Sequence, residues 1–313
     1  LIFSDTIRHK AIQAGFSYCG FSRSGFLEAE APLLEQWLKN GFQGQMSYLE
    51  RNFDKRLDPN LLVPGAKTII SLIYNYYPSE TQRDTEAPKL AKYAYGGDYH
   101  SVIRTKLMHL VQELKREYGD FQARVFTDSA PIMERTWAQK GGLGWIGKNT
   151  LLINKQMGSF FFLAEIIIDI EADKYDMPVT DHCGTCTACL DACPTNALFA
   201  PQQMDASKCI SYLTIELKDQ IPASFQGKMD NWMFGCDICQ DVCPWNRHAK
   251  PHQEPAFAPP QELLTMGKRE WIEIREESFE KLFKNSAVKR TTFQRLQRNI
   301  RFLYPAEDPK NSQ

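Results

Sequence analysis

Of the nine cysteines in this sequence, eight fall between positions 183 and 243. "CGTCTACLDACP" gives Cys183-x2-Cys186-x2-Cys189-x3-Cys193-Pro194, and "CDICQDVCP" gives Cys236-x2-Cys239-x3-Cys243-Pro244. The first has the spacing of a [4Fe–4S] ligand run. The second is a copy without its leading cysteine, and Cys209 is the remaining candidate to supply that ligand. Thiolates are soft ligands suited to iron, short spacings let one loop wrap three corners of a cube, and proline turns the chain away after the last ligand. Zinc knuckles favour paired C-x2-C units over a triple run ending in C-P. Two [4Fe–4S] clusters, a path for electrons, are therefore the expected occupants. Cys19, between Tyr18 and Gly20 in an apolar run, reads as a buried small hydrophobe.

A second stretch, "GGLGWIGKNT" (141–150), nearly fits two nucleotide signatures. Gly142, Gly144 and Gly147 match G-x-G-x-x-G. Gly142, Gly147 and Lys148 match the phosphate loop except that Asn149 stands where a hydroxyl is required. Both signatures need a strand before the turn and a helix after it. Here "PIMERTWAQK" (131–140) reads as a helix and "TLLI" as a strand, so the order is reversed. What remains is a structural turn, or a glycine wall against a large flat ligand. Just upstream, Asp128 in "FTDSAPIMER" sits where a strand ends and a helix begins. It is either a helix cap, with Ser129 an equal candidate, or an acid at the edge of a sheet.

The elements that must position these residues can be read from periodicity. "FSYCGF" (16–21), "KTIISLIYN" (67–75), "QARVFT" (122–127) and "FFFLAEIIID" (160–169) are strand candidates. Ile103, Leu107, Leu110, Val111, Leu114 and Tyr118 recur at helical spacing up to Gly119, and residues 31–50 suggest another helix ending near Gly41. The expected fold class is α+β, with three parts. Residues 1–172 form a mixed α/β domain, 173–250 a two-cluster module, and 251–313 a proline-rich linker and basic helical tail. The 313-residue chain is 43% hydrophobic and 24% charged with a formal net charge of −1, which excludes a uniformly basic nucleic-acid binder. The longest apolar run is broken by Glu165, no export signal is visible, and a cytoplasmic protein without a membrane span is expected.

The cysteine runs resemble those of two-cluster bacterial ferredoxins, in which the fourth cysteine of each run crosses to the other cluster. That resemblance implies Cys183, Cys186, Cys189 and Cys243 on one cubane, and Cys193, Cys209, Cys236 and Cys239 on the other. An α/β domain with "FTDSAP" and "GLGWIGKNT", followed by "CISYLTIE" and "GCDICQDVCPWN", resembles the epoxyqueuosine reductases over nearly the whole chain. The family's core is similar to that of the corrinoid reductive dehalogenases. The resemblance implies reduction of epoxyqueuosine to queuosine at the tRNA wobble position, with electrons passing through two [4Fe–4S] clusters to cobalamin. It places the glycine loop in the corrinoid-binding domain and the catalytic acid on Asp128. An acid that donates a proton at neutral pH needs a raised pKa, so Asp128 is expected in a poorly solvated pocket above the cobalt. Arg51, Asp98, Tyr99, Lys148, Asn149, Ser211 and Gly235 are the expected corrin neighbours. His100, in Asp98-x-His100, lacks the glycine that would complete a cobalt-ligating motif, because Ile103 stands there, and it is not expected to be a ligand.

A tRNA substrate also needs positive surface. "KLFKNSAVKRTTFQRLQRNIR" (281–301) carries Lys281, Lys284, Lys289, Arg290, Arg295, Arg298 and Arg301 without an acidic residue, and contact with RNA phosphates is the expectation. Longer relatives carry further C-terminal helical repeats, so part of their tRNA surface is expected to be absent here or supplied otherwise. An electron donor of unspecified identity is implied as a second partner. Two other readings are a corrinoid reductase of a small molecule and an electron-transfer protein. Stoichiometric corrinoid binding would exclude the simple form of the latter.

Overall fold

The computed structural model describes residues 1–305. Its centre is a four-stranded sheet of β1 (Tyr18–Arg23), β2 (Thr68–Asn75), β4 (Ala123–Phe126) and β7 (Phe161–Ile168). The strand order is β1-β2-β7-β4 and every neighbouring pair is antiparallel. Each strand lies largely within one of the four apolar windows named above. The period of two divides the side chains between faces. Ile70, Leu72, Ala164, Ile166 and Ile168 pack with helices α1 (Ser4–Gln13) and α5 (Tyr99–Tyr118), which contributes Ile103, Leu107, Leu110 and Leu114. Cys19 is buried in this core, as its apolar setting implied. On the opposite face Ile69, Phe126 and Ile167 pack with Trp137 of α6 (Glu134–Lys140).

Two helix starts differ from the sequence reading. Helix α5 begins at Tyr99, before its first periodic apolar residue, because Asp98 caps it: Oδ1 accepts the His100 N–H at 3.1 Å. Helix α6 begins at Glu134 instead of Pro131. The chain from Thr127 to Met133 is irregular, and Asp128 sits at φ +57°, so Asp128 does not cap α6. The other helices of this half are α2 (Ala31–Lys39), α3 (Tyr48–Arg51) and α4 (Phe53–Leu57). Close approach of α6 to the sheet depends on Gly20, where a Cβ would stand 2.0 Å from the Gly141 carbonyl oxygen.

Three two-residue strands also lie in this half: β3 (Lys89–Leu90), β5 (Trp145–Ile146) and β6 (Leu152–Ile153), the last two paired with each other. The cysteine segment contains a short hairpin, β8 (Leu198–Ala200) and β9 (Gln203–Met204). Two four-residue helices, α7 (Ala188–Asp191) and α8 (Ile238–Asp241), carry the middle of each cysteine run and pack on each other. After Cys209 the chain forms a π-helix, Tyr212–Glu216. Strand β10 (Trp232–Phe234) then pairs in parallel with β3. Helices α9 (Gln261–Thr265), α10 (Lys268–Ile272), α11 (Glu276–Leu282) and α12 (Phe293–Leu303) close the structure. Their core includes Ala87, Leu90, Ala94 and Tyr95, so the C-terminal helices are built onto the first half of the chain. The proline-rich segment is an extended wrap that buries Phe257 in the first core. Positions 306–313 of the expected tail lie outside the described residues. Among the described residues no helix is long and apolar enough to cross a membrane.

Candidate active site and cluster module

The cysteines fall into two sets. Cys183, Cys186, Cys189 and Cys243 line one cavity of about 190 Å³. Burial pushes up the Cys189 thiol, and Cys243, Cys183 and Cys186 add to it, as closely grouped thiols must. In the second set Cys236 is raised by burial and by Cys209 and Cys239. Cys239 is raised by burial, Cys209, Asp237, Cys189 and Cys193. Among the described residues no three His, Cys, Asp or Glu side chains converge closely enough to hold a single ion. Four thiols spread around one cavity suit a cubane, in which each sulfur binds its own iron. The donor sets therefore fit two [4Fe–4S] clusters.

The glycine loop is bound to this module. Lys148 Nζ donates to the carbonyls of Gly184 at 2.7 Å and Cys186 at 2.9 Å, and Asn149 Nδ2 donates to the Cys239 carbonyl at 3.3 Å. Trp145 Nε1 lies 3.4 Å from Cys183 Sγ. One short segment thus grips both ligand runs. Gly142 and Gly144 border a cavity of about 180 Å³, but the side on which each would carry a Cβ is packed. A Cβ on Gly142 would stand 2.9 Å from the Met177 carbonyl oxygen, and one on Gly144 would stand 2.2 Å from that of Ile153. The loop needs glycine to pack against its own chain, and the side chains of Lys148 and Asn149, expected at the corrin, are committed to the cluster loops. Gly235 is likewise packed, against Ala91, and its N–H donates to Thr214 Oγ1 at 3.0 Å. Ser211 lies between Cys209 and the π-helix, and Arg51 is exposed at the end of α3.

Asp128 leaves β4, the edge strand, beside a cavity of about 720 Å³ whose lining includes Asp98, His100, Thr127, Ser129 and Arg290. Tyr99 Oη donates to Asp128 Oδ2, and His100 Nε2 stands 3.3 Å from the same oxygen. His100 Nδ1 lies 2.6 Å from Asp98 Oδ1, and Arg290 reaches Asp98 Oδ2 at 3.4 Å and His100 Nε2 at 3.2 Å. Tyr48 of α3 reaches Glu216 of the π-helix at 3.5 Å. Burial pushes Tyr48 up to about 12, with Glu216 and Asp128 adding to the shift. Glu216 is raised first by burial and then by Asp128.

The expected dry pocket and raised pKa at Asp128 are not found. Many protein atoms surround its carboxyl, yet 62% of the side chain is open to solvent at the cleft. Burial pushes its pKa up, but hydrogen bonds from His100 and Tyr99 outweigh that and hold it below the usual carboxylate value. His100 shifts the other way. Burial lowers it, and the bonds to Asp128 and Asp98 more than reverse the effect.

Several site residues escaped the sequence reading. Tyr48 has no local motif, Glu216 lies in "CISYLTIE" with nothing to mark its role, and Arg290 stands out only as part of a charge run. Glu165, an interruption of an apolar strand, is fully buried, and neither of its carboxyl oxygens meets an N–H or O–H donor. A lone acid in the middle of "FFFLAEIII" was the signal that could have found it. Glu134, at the start of α6, accepts the Asp128 N–H on Oε1 at 2.5 Å.

The basic run is engaged in part within its own chain. Lys281 lies 3.6 Å from Glu262, Lys289 lies 2.7 Å from Glu280, and Arg290 pairs with Asp98. Arg295 and Arg298 donate to backbone carbonyls of the π-helix and its exit, including Ile215, Leu213 and Leu217. Much of the run neutralises acids and carbonyls of its own chain. Lys284, Lys289 and Arg290 still line a cavity of about 480 Å³ beside Asp98.

Comparison with known proteins agrees with this geometry. Residues 182–246 match the family described as a 4Fe-4S double cluster binding domain, and residues 56–129 match that described as epoxyqueuosine reductase QueG, DUF1730. An epoxyqueuosine reductase of Cellulophaga algicola is 57% identical over 300 residues, covering 96% of this chain and 97% of its own. The fold matches a crystal structure of an epoxyqueuosine reductase with an epoxyqueuosine-modified tRNA-Tyr stem loop (TM-score 0.88, 31% identity, 96% of this chain and 80% of that one). It also matches a Bacillus subtilis epoxyqueuosine reductase whose catalytic aspartate loop is swung out of the active site (TM-score 0.86, 30% identity, 96% and 80% coverage). With such identity over nearly the full length of both chains, the protein belongs to the epoxyqueuosine reductase family.

Proposed function

We propose that Asp128 delivers the proton in the family's reduction of epoxyqueuosine to queuosine, here on the anticodon loop of a tRNA. The observation that carries this reading is the Asp128 carboxyl, open at the cleft while hydrogen-bonded by Tyr99 and close to His100. The reaction consumes two electrons and two protons, breaks the epoxide C–O bond and releases the oxygen as water when the ring double bond is restored. When bound, two [4Fe–4S] clusters and a corrinoid would supply the electrons, drawn from an external donor. The eight cysteines would hold the clusters. Tyr48, Tyr99, Glu216 and Arg290, the groups within electrostatic reach of Asp128, would surround the corrinoid.

His100, favoured as the imidazolium by Asp98 and Asp128, stores a proton within reach of Asp128. Covering the cleft with substrate removes water from Asp128 and raises its affinity for that proton. Tyr99, whose ionisation is strongly opposed by burial and by Asp128, stays protonated and orients the carboxyl. Lys284, Lys289 and Arg290 offer charge for RNA phosphates beside the site. The reading treats residues 1–172 as the corrinoid side, 173–250 as the electron path and the remainder as a tRNA-facing segment, in a cytoplasmic setting.

The test is Asp128→Asn in enzyme carrying both clusters and cobalamin, assayed on an epoxyqueuosine-containing stem-loop. A fall in turnover of about 100- to 10,000-fold with cofactor content intact is expected. Turnover like that of the wild type would remove Asp128 from its role.

A further inference from the structure

Behind Asp128 the sheet holds a carboxyl group that the proposed chemistry does not use. Glu165 lies at the centre of β7, paired in register with Ser71 of β2 and Phe126 of β4. Cross-strand partners share a face, and this face is covered by α6. Glu165 is fully buried, its two oxygens meet no N–H or O–H donor, and Ser71 Oγ is also without a partner. The polar group within its reach is another carboxyl, that of Glu134 in the first turn of α6. Two buried carboxylates in contact repel, and an isolated one is costly to desolvate. A carboxylic acid donating to a carboxylate satisfies both groups and leaves a single charge.

We propose that Glu134 and Glu165 share one proton, and that this carboxyl pair positions the Asp128 loop through the Asp128 N–H held by Glu134. The proposal rests on Asp128 as the acid but acts on its backbone, so the two can fail separately. Asp128 stands at φ +57°, a region that few residues other than glycine adopt and that Asp tolerates better than most, so an anchor at its N–H helps to hold the loop there. The groups facing the pair are Asp128 from the loop, Arg56 from α4, Tyr99 from α5 and Arg135 from α6 itself. Burial raises the pKa of Glu134, with Asp128 adding to the shift, and burial together with Glu134 raises that of Glu165. Loss of the shared proton at alkaline pH leaves two carboxylates pressed together, and the loop anchor gives way.

The two single amide variants imitate the one-proton state. In E165Q the amide donates to the Glu134 carboxylate. In E134Q the amide oxygen still accepts the Asp128 N–H while its nitrogen donates to Glu165. Backbone hydrogen exchange of the segment 127–131 would be measured in the cluster- and cobalamin-loaded enzyme across pH 6 to 9.5, after correction for intrinsic exchange, alongside turnover. The wild type is expected to lose protection toward the alkaline end of this range, while E134Q and E165Q keep it. E134A is expected to exchange about tenfold faster at every pH and to lose about tenfold in kcat with KM within about twofold, as misplacement of a catalytic group does. Unchanged protection in E134A, or a wild-type loss of protection repeated in both amide variants, would overturn the proposal. D128N, carried through the same measurements, separates the outcomes: a D128N enzyme that turns over normally removes the acid while leaving the exchange result to be read by itself.

Discussion

His100 has one nitrogen, Nε2, for two partners. It stands 3.3 Å from Asp128 and 3.2 Å from the Arg290 guanidinium, and can donate to the first or accept from the second, not both. The imidazolium favours Asp128 and the neutral ring favours Arg290. Arg290→Ala should therefore raise the His100 pKa, because a cationic neighbour is removed while Asp128 and Asp98 remain. The ring-proton chemical shifts of His100 against pH measure this directly, and an unmoved or lowered midpoint would contradict it. The pair also gives a defined pH window for stability. Asp128, held low, contributes above its ordinary pKa near 3.8 and loses that as pH falls through its folded value. His100, held high, contributes below 6.5 and loses that as pH rises through its folded value. Their joint contribution is largest between those two ordinary values. Asp128 itself was legible, since a strand ending in Thr-Asp-Ser before a helical pattern marks a sheet edge. The direction of its pKa was not, because the groups that set it, Tyr99 and His100, arrive from another element.

At the scale of elements, the four core strands could be read because β-branched and aromatic runs of this length have few other uses. The π-helix Tyr212–Glu216 could not. Its sequence, part of "CISYLTIE", has no periodicity that marks a π-helix, and a π-helix leaves carbonyls that the rest of the fold must satisfy. Helix α12 does so. Arg298 donates to the carbonyls of Leu213 at 2.9 Å and Leu217 at 2.8 Å, and Asn299 donates to those of Thr214 at 2.8 Å and Met233 at 2.9 Å. That bonding shows how a basic run without a local acid is partly neutralised: some of its partners are backbone oxygens and acids from other segments. Arg298→Ala should cost roughly 2–3 kcal/mol, the loss of charge-assisted bonds to partly buried carbonyls, measured by denaturant titration of the cluster-loaded protein. Arg301→Ala, on an exposed position of the same helix, should change stability by less than about 0.5 kcal/mol. Equal effects from the two substitutions would show that α12 is held by its apolar face alone.

Over the whole molecule, the cluster module joins parts that are distant in sequence. Cys243 sits with the first cysteine run, and Cys193 of that run groups with Cys209, Cys236 and Cys239 of later segments. Lys148 and Asn149 hold one run each, so the sheet domain is attached to both halves of the module. With this crossing, Cys193→Ser and Cys236→Ser remove the same cluster although they alter different runs. In an uncrossed arrangement, Cys193→Ser would instead act with Cys189→Ser. Iron content should fall from about eight to about four atoms per chain in each case, so the count alone does not decide. The identity of the survivor does. The first set contains Cys186, which is exposed, so the cluster surviving in Cys193→Ser should bleach faster in air than the one surviving in Cys189→Ser. Paramagnetic resonance of the reduced variants should give one spectrum for the Cys193, Cys209 and Cys236 substitutions, and a different one for Cys189 and Cys243. A Cys193→Ser spectrum matching that of Cys189→Ser would mean that each run holds its own cluster, and that the two halves of the module are joined by packing instead of by iron.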